Sequence, residues 1–191
     1  MREIDELVLV TQNVDGLHQK AGVSEDRVFQ LHGDLSHAVC LGCGKRYPME
    51  EIAVWLKSGL DEPACASCGG MLKPDAVLFG EQLPVHVLME SEKRSRTCNV
   101  CIVLGSTLTV YPAALIPQYA AQSGAKLVII NMGPTELDRM ADIRIEGKAG
   151  EVLQRGISVS YRVVLVQDQH RDGGIHDQVG QEILALPELQ F

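Results

Sequence analysis

The chain has 191 residues, a net charge of −8 and only 4% aromatic side chains. That length supports one domain, or one domain with a small insert, and 46% hydrophobic residues are ample for an aliphatic core. The acidic balance argues against broad nucleic-acid binding, which needs clustered Lys and Arg; no apolar run is long enough to suggest a membrane span, no signal pattern opens the chain, and a cytoplasmic location is the default.

Leu7-Val8-Leu9-Val10 is a continuous apolar run of the kind expected for a parallel strand covered on both faces. It leads into Gln12, Asn13, Val14 and Asp15, at the carboxyl end where open α/β sheets place ligand contacts. The amides offer donor and acceptor on one head and suit a carboxamide or a ribose hydroxyl. Asn13 or Asp15 capping a short helix through Leu17 and Lys20 is an equally good reading of the spacing. His18 is expected on the surface of that helix, and Gly22 ends it. Val28 to Leu31 reads as a short strand delivering His32, with Gly33 beside it allowing close approach of a ligand. A histidine there can act as a base near neutral pH, although a lone histidine is more often structural. His37 carries no assigned role.

Cys40-Leu-Gly-Cys43 and Cys65-Ala-Ser-Cys68 are paired knuckles, with glycine at 42, 44, 69 and 70. Two such knuckles close a tetrahedral thiolate site, which points to one structural zinc ion. Between them, residues 49–56 have helical periodicity and Gly59 can end that helix. Val77 to Phe79 has strand character, and Gly80 marks a turn or a close approach. Residues 84–96 form an amphipathic helix with Val85, Leu88 and Met89 on its apolar face. Cys98 and Cys101 lack the knuckle glycines and read as core thiols.

Val100 to Leu104 is a further buried strand, followed by Gly105-Ser106-Thr107 and a helix reaching about Ser123. Strand, small-residue turn and helix N-terminus together would suit a phosphate or ribose. Lys126 to Ile130 is another strand, ending in Asn131-Met132-Gly133. A short helix over Pro134 to Met140 and a strand over Asp142 to Ile145 follow. Alternating strands and helices make the fold α/β, a Rossmann-like parallel sheet with helices on both faces. The expected division is 1–37 and 72–153 for the main domain, 38–71 for an inserted zinc-binding lobe, and 154–191 for a tail. In that tail Val159 to Val166 is a candidate strand, while His170 and His176 are read as surface residues.

TQNVDGLH, LHGDL, the two cysteine pairs, KPDAVLFGEQLP, GSTLTVYPAALIP, LVIINMGPTELD and GKAGEVL occur in an order that resembles the sirtuins, NAD-dependent protein-lysine deacylases. The resemblance covers about residues 7–153. It implies that Asn13, Asp15, Gln12 and Val14 line the nicotinamide and inner-ribose pocket and that His32 is the general base. It places Gly105, Ser106, Thr107, Asn131, Met132 and Gly133 on the phosphates and adenosine, and Ala149 near adenine. Val77, Leu78, Phe79, Gly80 and Glu81 would pair with an acyl-lysine peptide, and Cys40, Cys43, Cys65 and Cys68 would hold zinc. The implied reaction transfers the acyl group to ADP-ribose and releases nicotinamide. Sirtuins also carry a glycine-rich GAGIS-type segment, which these 191 residues lack. The reading is therefore of a truncated chain with an exposed strand edge beside Leu7 to Val10. A non-catalytic zinc-containing module that binds acyl-lysine peptide is the alternative.

Overall fold

The computed structural model describes residues 7–154 and 163–167. The main sheet has six strands, β1 (Leu7–Thr11), β2 (Val28–Gln30), β6 (Val100–Leu104), β7 (Lys126–Asn131), β8 (Ile143–Glu146) and β9 (Val163–Gln167). Their order is β2-β1-β9-β6-β7-β8, and every neighbouring pair is parallel. A second sheet is antiparallel, in the order β4-β3-β5, from β3 (Gly33–Cys40), β4 (Arg46–Pro48) and β5 (Leu72–Ala76).

Strand alternation divides the apolar side chains between two faces of the main sheet. Val8, Val10, Cys101, Val103, Leu127 and Ile129 belong to one buried cluster with Ile116 and Ala120, and Val87 and Leu88 pack against it. These last four lie on α3 (Val85–Thr97) and α4 (Leu115–Gln122). Leu9, Val100, Ile102, Leu104 and Ile130 form the opposite cluster, covered by Ala149, Val152 and Leu153 of α5 (Ala149–Gln154). Helices on both faces explain why the strands read as unbroken apolar runs. Cys98 and Cys101 are buried, and burial raises both thiol pKa values, Cys98 to about 11. They are core thiols.

The slot between β1 and β6 is filled by β9, whose register runs Leu7↔Val163 to Thr11↔Gln167 on one side and Val100↔Val163 to Leu104↔Gln167 on the other. The expected exposed edge beside β1 is therefore paired. The remainder of the tail, including His170 and His176, lies outside the described residues.

Several local expectations are corrected. The strand expected over Val77 to Phe79 lies earlier, at Leu72–Ala76, and residues 79 and 80 form a turn. Strand β3 was not expected, because Gly33-Asp34-Leu35-Ser36-His37 has no strand-like apolar alternation; pairing with β4 and β5 imposes it. That strand crosses residue 38 and enters the segment expected as a separate lobe, whose own helix, α2, spans Met49–Lys57. The helix expected over Pro134 to Met140 shrinks to a 3-10 turn, Asp138–Met140. There the Asp138 carboxylate accepts the Thr135 N–H at 3.2 Å and the Thr135 hydroxyl accepts the Leu137 N–H at 3.3 Å, in place of backbone partners. On α3 the apolar contacts come from Val87 and Leu88 with buried Ser91 and Ser95, while Val85 and Met89 are exposed. His18, expected at the surface of α1 (Leu17–Lys20), is only 4% exposed.

Candidate active site and metal centre

Four hydrogen bonds stitch the carboxyl end of β1 to the start of β3 and the end of β5. The Leu31 N–H donates to the Thr11 carbonyl at 2.9 Å, and the Leu35 N–H to the Val14 carbonyl at 2.9 Å. The Val77 N–H donates to the His32 carbonyl at 2.8 Å. The His32 Nδ1 lies 3.1 Å from the Gln12 carbonyl oxygen. A carbonyl only accepts, so this contact puts the ring proton on Nδ1 and leaves Nε2 of the neutral ring as a base. Gly33 makes the crossing possible: φ is +79°, and a Cβ there would stand 2.2 Å from the Asp75 carbonyl oxygen. The missing side chain thus makes room for the backbone of β5.

Gln12 and Asn13 are buried, and among the described residues Gln12 Nε2 and Asn13 Oδ1 have no hydrogen-bond partner. A buried unpaired polar atom costs roughly 1–3 kcal/mol. One donor and one acceptor lacking partners side by side in sequence fit a ligand carrying both, such as a carboxamide. Asp15 accepts the Leu17 N–H through Oδ1 at 3.0 Å, an Asx turn one residue ahead of the helix, whose N-cap is Gly16 with no side-chain cap bond, so neither Asn13 nor Asp15 is the cap. Both ring nitrogens of His18 are buried and, among the described residues, have no hydrogen-bond partner. Burial pushes its pKa below the usual histidine value, and the Asp15 charge offsets part of that.

At the other edge of β1 and β9, the turn after β6 is more elaborate than a strand-to-helix junction. Gly105 has φ +60° and donates to the Ile130 carbonyl at 2.9 Å. The Ser106 hydroxyl is buried and accepts the Leu108 N–H at 3.1 Å, while Thr107 Oγ1 meets Thr109 Oγ1 at 3.0 Å. Helix α4 begins only at Leu115, so its N-terminus does not adjoin Gly105 to Thr107 as expected. The Glu136 N–H donates to the Thr107 carbonyl at 3.2 Å, which ties this turn to the loop after Asn131. Within that loop Asn131 Nδ2 donates to the Gly133 carbonyl at 2.9 Å, Met132 is 46% exposed, and Ala149 packs on the core at the start of α5.

Beyond β5, residues 78–81 close on themselves. The Leu78 N–H donates to the Glu81 carboxylate at 2.9 Å, the Glu81 N–H to the Leu78 carbonyl at 3.0 Å, and Lys73 Nζ reaches the same carboxylate at 2.8 Å. The Leu78 N–H and then Lys73 hold the Glu81 pKa below the usual carboxylate range. Gly80 supplies φ +88°, and Leu78 and Phe79 stand exposed.

The four knuckle cysteines meet with all Sγ atoms within 4.8 Å of one another; Cys40 to Cys68 is 3.5 Å and Cys43 to Cys65 is 3.6 Å. A zinc ion with bonds of about 2.3 Å would set tetrahedral sulfur atoms about 3.8 Å apart, so the cluster fits it. A Cβ on Gly70 would stand 2.9 Å from the Cys40 sulfur, which is why glycine is needed in that knuckle. The Tyr47 hydroxyl, 3.1 Å from Cys65 Sγ, pulls that thiol down to about 6, helped by the N–H groups of Ser67 and Cys68. Cys68 is lowered by the Gly70 N–H but pushed up to about 12 by the three sulfurs around it. Sulfurs this crowded ionise together only around a cation. Tyr47 was not singled out in the sequence, since nothing in its spacing marks it.

The model of the Sir2 family matches residues 1–112. The chain belongs to the Sir2 family. It is 45% identical over 145 residues to NAD-dependent protein deacetylase 2 of Streptomyces coelicolor, covering 76% of this chain and 60% of that protein. It is 47% identical over 147 residues to NAD-dependent protein deacetylase 1 of Pyrobaculum aerophilum, covering 77% of this chain and 56% of that protein. Its fold superposes on Sir2Tm bound to a propionylated peptide with a TM-score of 0.72 at 40% identity, over 78% of this chain and 61% of that one. A Sir2 complex with p53 peptide and NAD+ gives a TM-score of 0.71 at 40% identity, over 78% and 60%. The Sir2-family chain thus spans 56–60% of the length of these two curated relatives. Among its described residues no helix is long and apolar enough to cross a membrane.

Proposed function

We propose that this Sir2-family protein is an NAD-dependent protein-lysine deacylase that transfers the acyl group to ADP-ribose and releases nicotinamide. The observation that carries the proposal is the His32 ring, held through Nδ1 by the Gln12 carbonyl with Nε2 left as base, beside the unpartnered amides of Gln12 and Asn13. Its curated relatives are named NAD-dependent deacetylases, and one solved Sir2 neighbour holds peptide and NAD+.

In this reading Gln12, Asn13, Val14 and Asp15 receive the nicotinamide and its ribose. Gly105, Ser106 and Thr107 serve the phosphates, and Asn131, Met132, Gly133 and Ala149 the adenosine. When bound, NAD would supply the ADP-ribose acceptor and the nicotinamide leaving group. His32 Nε2 takes the proton from a ribose hydroxyl, and the Nδ1 contact steadies the ring as it gains charge. An acyl-lysine peptide adds along the segment Val77, Leu78, Phe79, Gly80 and Glu81, next to β5, which is an edge strand of its sheet. Its backbone is joined to His32 by the Val77 N–H, so peptide and base share one anchor.

The domain division follows the same reading: a main domain over 1–37 and 72–153, to whose sheet β9 (Val163–Gln167) of the third segment, 154–191, adds a strand, and a metal lobe over 38–71. One zinc ion on Cys40, Cys43, Cys65 and Cys68 holds the lobe closed and takes no part in the chemistry. Thiols grouped for a metal suit a reducing compartment, which supports a cytoplasmic location. The test is nicotinamide release from NAD by this chain with and without an acetyl-lysine peptide. Peptide-dependent release supports the proposal, and binding of peptide without any release refutes it.

A further inference from the structure

Arg144 has no place in the site assigned so far, yet its guanidinium is the hub of the loop that follows β7. It stands on β8, opposite Ile129 of β7, with a side chain 24% exposed. Nε donates to Asp138 Oδ1 at 3.0 Å, and Nη1 donates to the Asn131 carbonyl at 3.0 Å and to the Ile145 carbonyl. Nη2 donates to the Gly133 carbonyl. All three nitrogens of one planar fork are thus engaged, on a carboxylate and three carbonyls.

Asp138 passes the constraint on. Its two oxygens take the Thr135 hydroxyl at 2.6 Å and the Thr135 N–H at 3.2 Å. Glu136, next along, donates to the Thr107 carbonyl. One side chain therefore fixes the loop from Asn131 to Asp138 and, through it, the turn after β6. A planar trans peptide points its N–H opposite its C=O. With the Asn131 carbonyl turned to Arg144, the Met132 N–H faces away from it, and among the described residues it has no acceptor.

We propose that Arg144 is a positioning residue for nucleotide binding: it holds the Asn131 to Gly133 loop in the one shape that presents its polar groups to the adenosine half of NAD. The inference rests on the deacylase reading for its ligand, but the clamp itself is a property of the chain. Lysine cannot replace the arginine, because a single ammonium cannot match a flat fork serving four acceptors on three sides.

The experiment compares wild type with Arg144→Lys and Arg144→Gln in two measurements on the zinc-loaded protein. The first is amide hydrogen exchange at Thr135, Glu136 and Leu137. Both variants should exchange about tenfold faster there, with exchange on β6 and zinc content unchanged. The second is equilibrium binding of ADP-ribose and of nicotinamide riboside, which lacks phosphate and adenosine. Both variants should bind ADP-ribose about tenfold more weakly and nicotinamide riboside as the wild type does. Equal weakening of both ligands would mean general damage and would overturn the positioning role. So would Arg144→Lys behaving as wild type in either measurement. If wild type binds neither ligand, the deacylase reading fails separately, and unchanged loop exchange in Arg144→Gln would still refute the clamp.

Discussion

Replacing Gly33 with alanine should destabilise the protein far more than alanine at an ordinary turn glycine. The added methyl carbon would stand 2.2 Å from the Asp75 carbonyl oxygen and 3.0 Å from Ala76 Cα. Ordinary van der Waals contact is about 3.5 Å, and backbone in a paired strand cannot swing away as a flexible side chain would. The φ of +79° adds a second penalty. Left-handed backbone costs a non-glycine residue about 1–2 kcal/mol, and forced overpacking typically about 1–3 kcal/mol. Together these predict a loss of about 2–5 kcal/mol, or a fall of about 1–2 M in the urea midpoint at a typical slope. Gly124, at φ +92° with nothing within 4 Å of where a Cβ would stand, is the control. Gly124→Ala should lose only the backbone term. Urea unfolding followed by circular dichroism on zinc-loaded protein measures both. Equal midpoints for the two variants would refute the argument that β3 and β5 touch backbone to backbone beside His32.

His18 predicts a pH dependence of stability. Its folded-state pKa is lowered by burial, so below about pH 6.5 the unfolded chain takes up a proton that the folded chain resists. Its contribution is complete above that pH and is lost as the pH falls towards the depressed folded value. Stability from urea titrations should therefore drop from pH 7.5 to 5.5 by more in wild type than in His18→Gln; equal drops would contradict the burial argument. Zinc removal has its own reporter, since Trp55, the single tryptophan, lies edge-on to Tyr47 at 5.5 Å and Tyr47 contacts Cys65. Chelation or Cys40→Ser should change Trp55 emission and abolish metal binding, and unchanged emission after complete metal loss would sever the lobe's packing from its metal.

The strands of the main sheet were legible because burial on both faces writes itself as unbroken runs such as Val100 to Leu104. The metal centre was legible because thiolate ligation dictates both spacing and glycine. What escaped was set by partners distant in sequence. Strand β3 exists through its pairing with β4 and β5. His18 is buried although four residues of helix give too little periodicity to reveal which face turns inward. Thr135 and Asp138 divert amides from a helix that the sequence would allow, and the arginine that fixes them comes from the next strand. The strand in the tail was legible over Val163 to Val166, residues 159–162 lying outside the described residues, but its insertion between β1 and β6 was not, because a short apolar strand carries no record of which neighbours it joins. Within the site, the polar cluster from Gln12 to Asp15 and His32 could be found by position, whereas the tautomer of His32 needed the Gln12 carbonyl in place.

The most direct measurement is mass-spectrometric analysis of an acetyl-lysine peptide incubated with NAD and this chain, as wild type and as His32→Ala. Wild type should give deacetylated peptide and acetyl-ADP-ribose in equal amounts. His32→Ala should lose about 10²–10⁴-fold in rate, as removal of a general base does, while keeping its zinc. Near-normal acyl transfer by His32→Ala would contradict the role of His32, and intact peptide with wild type would contradict the proposed reaction itself.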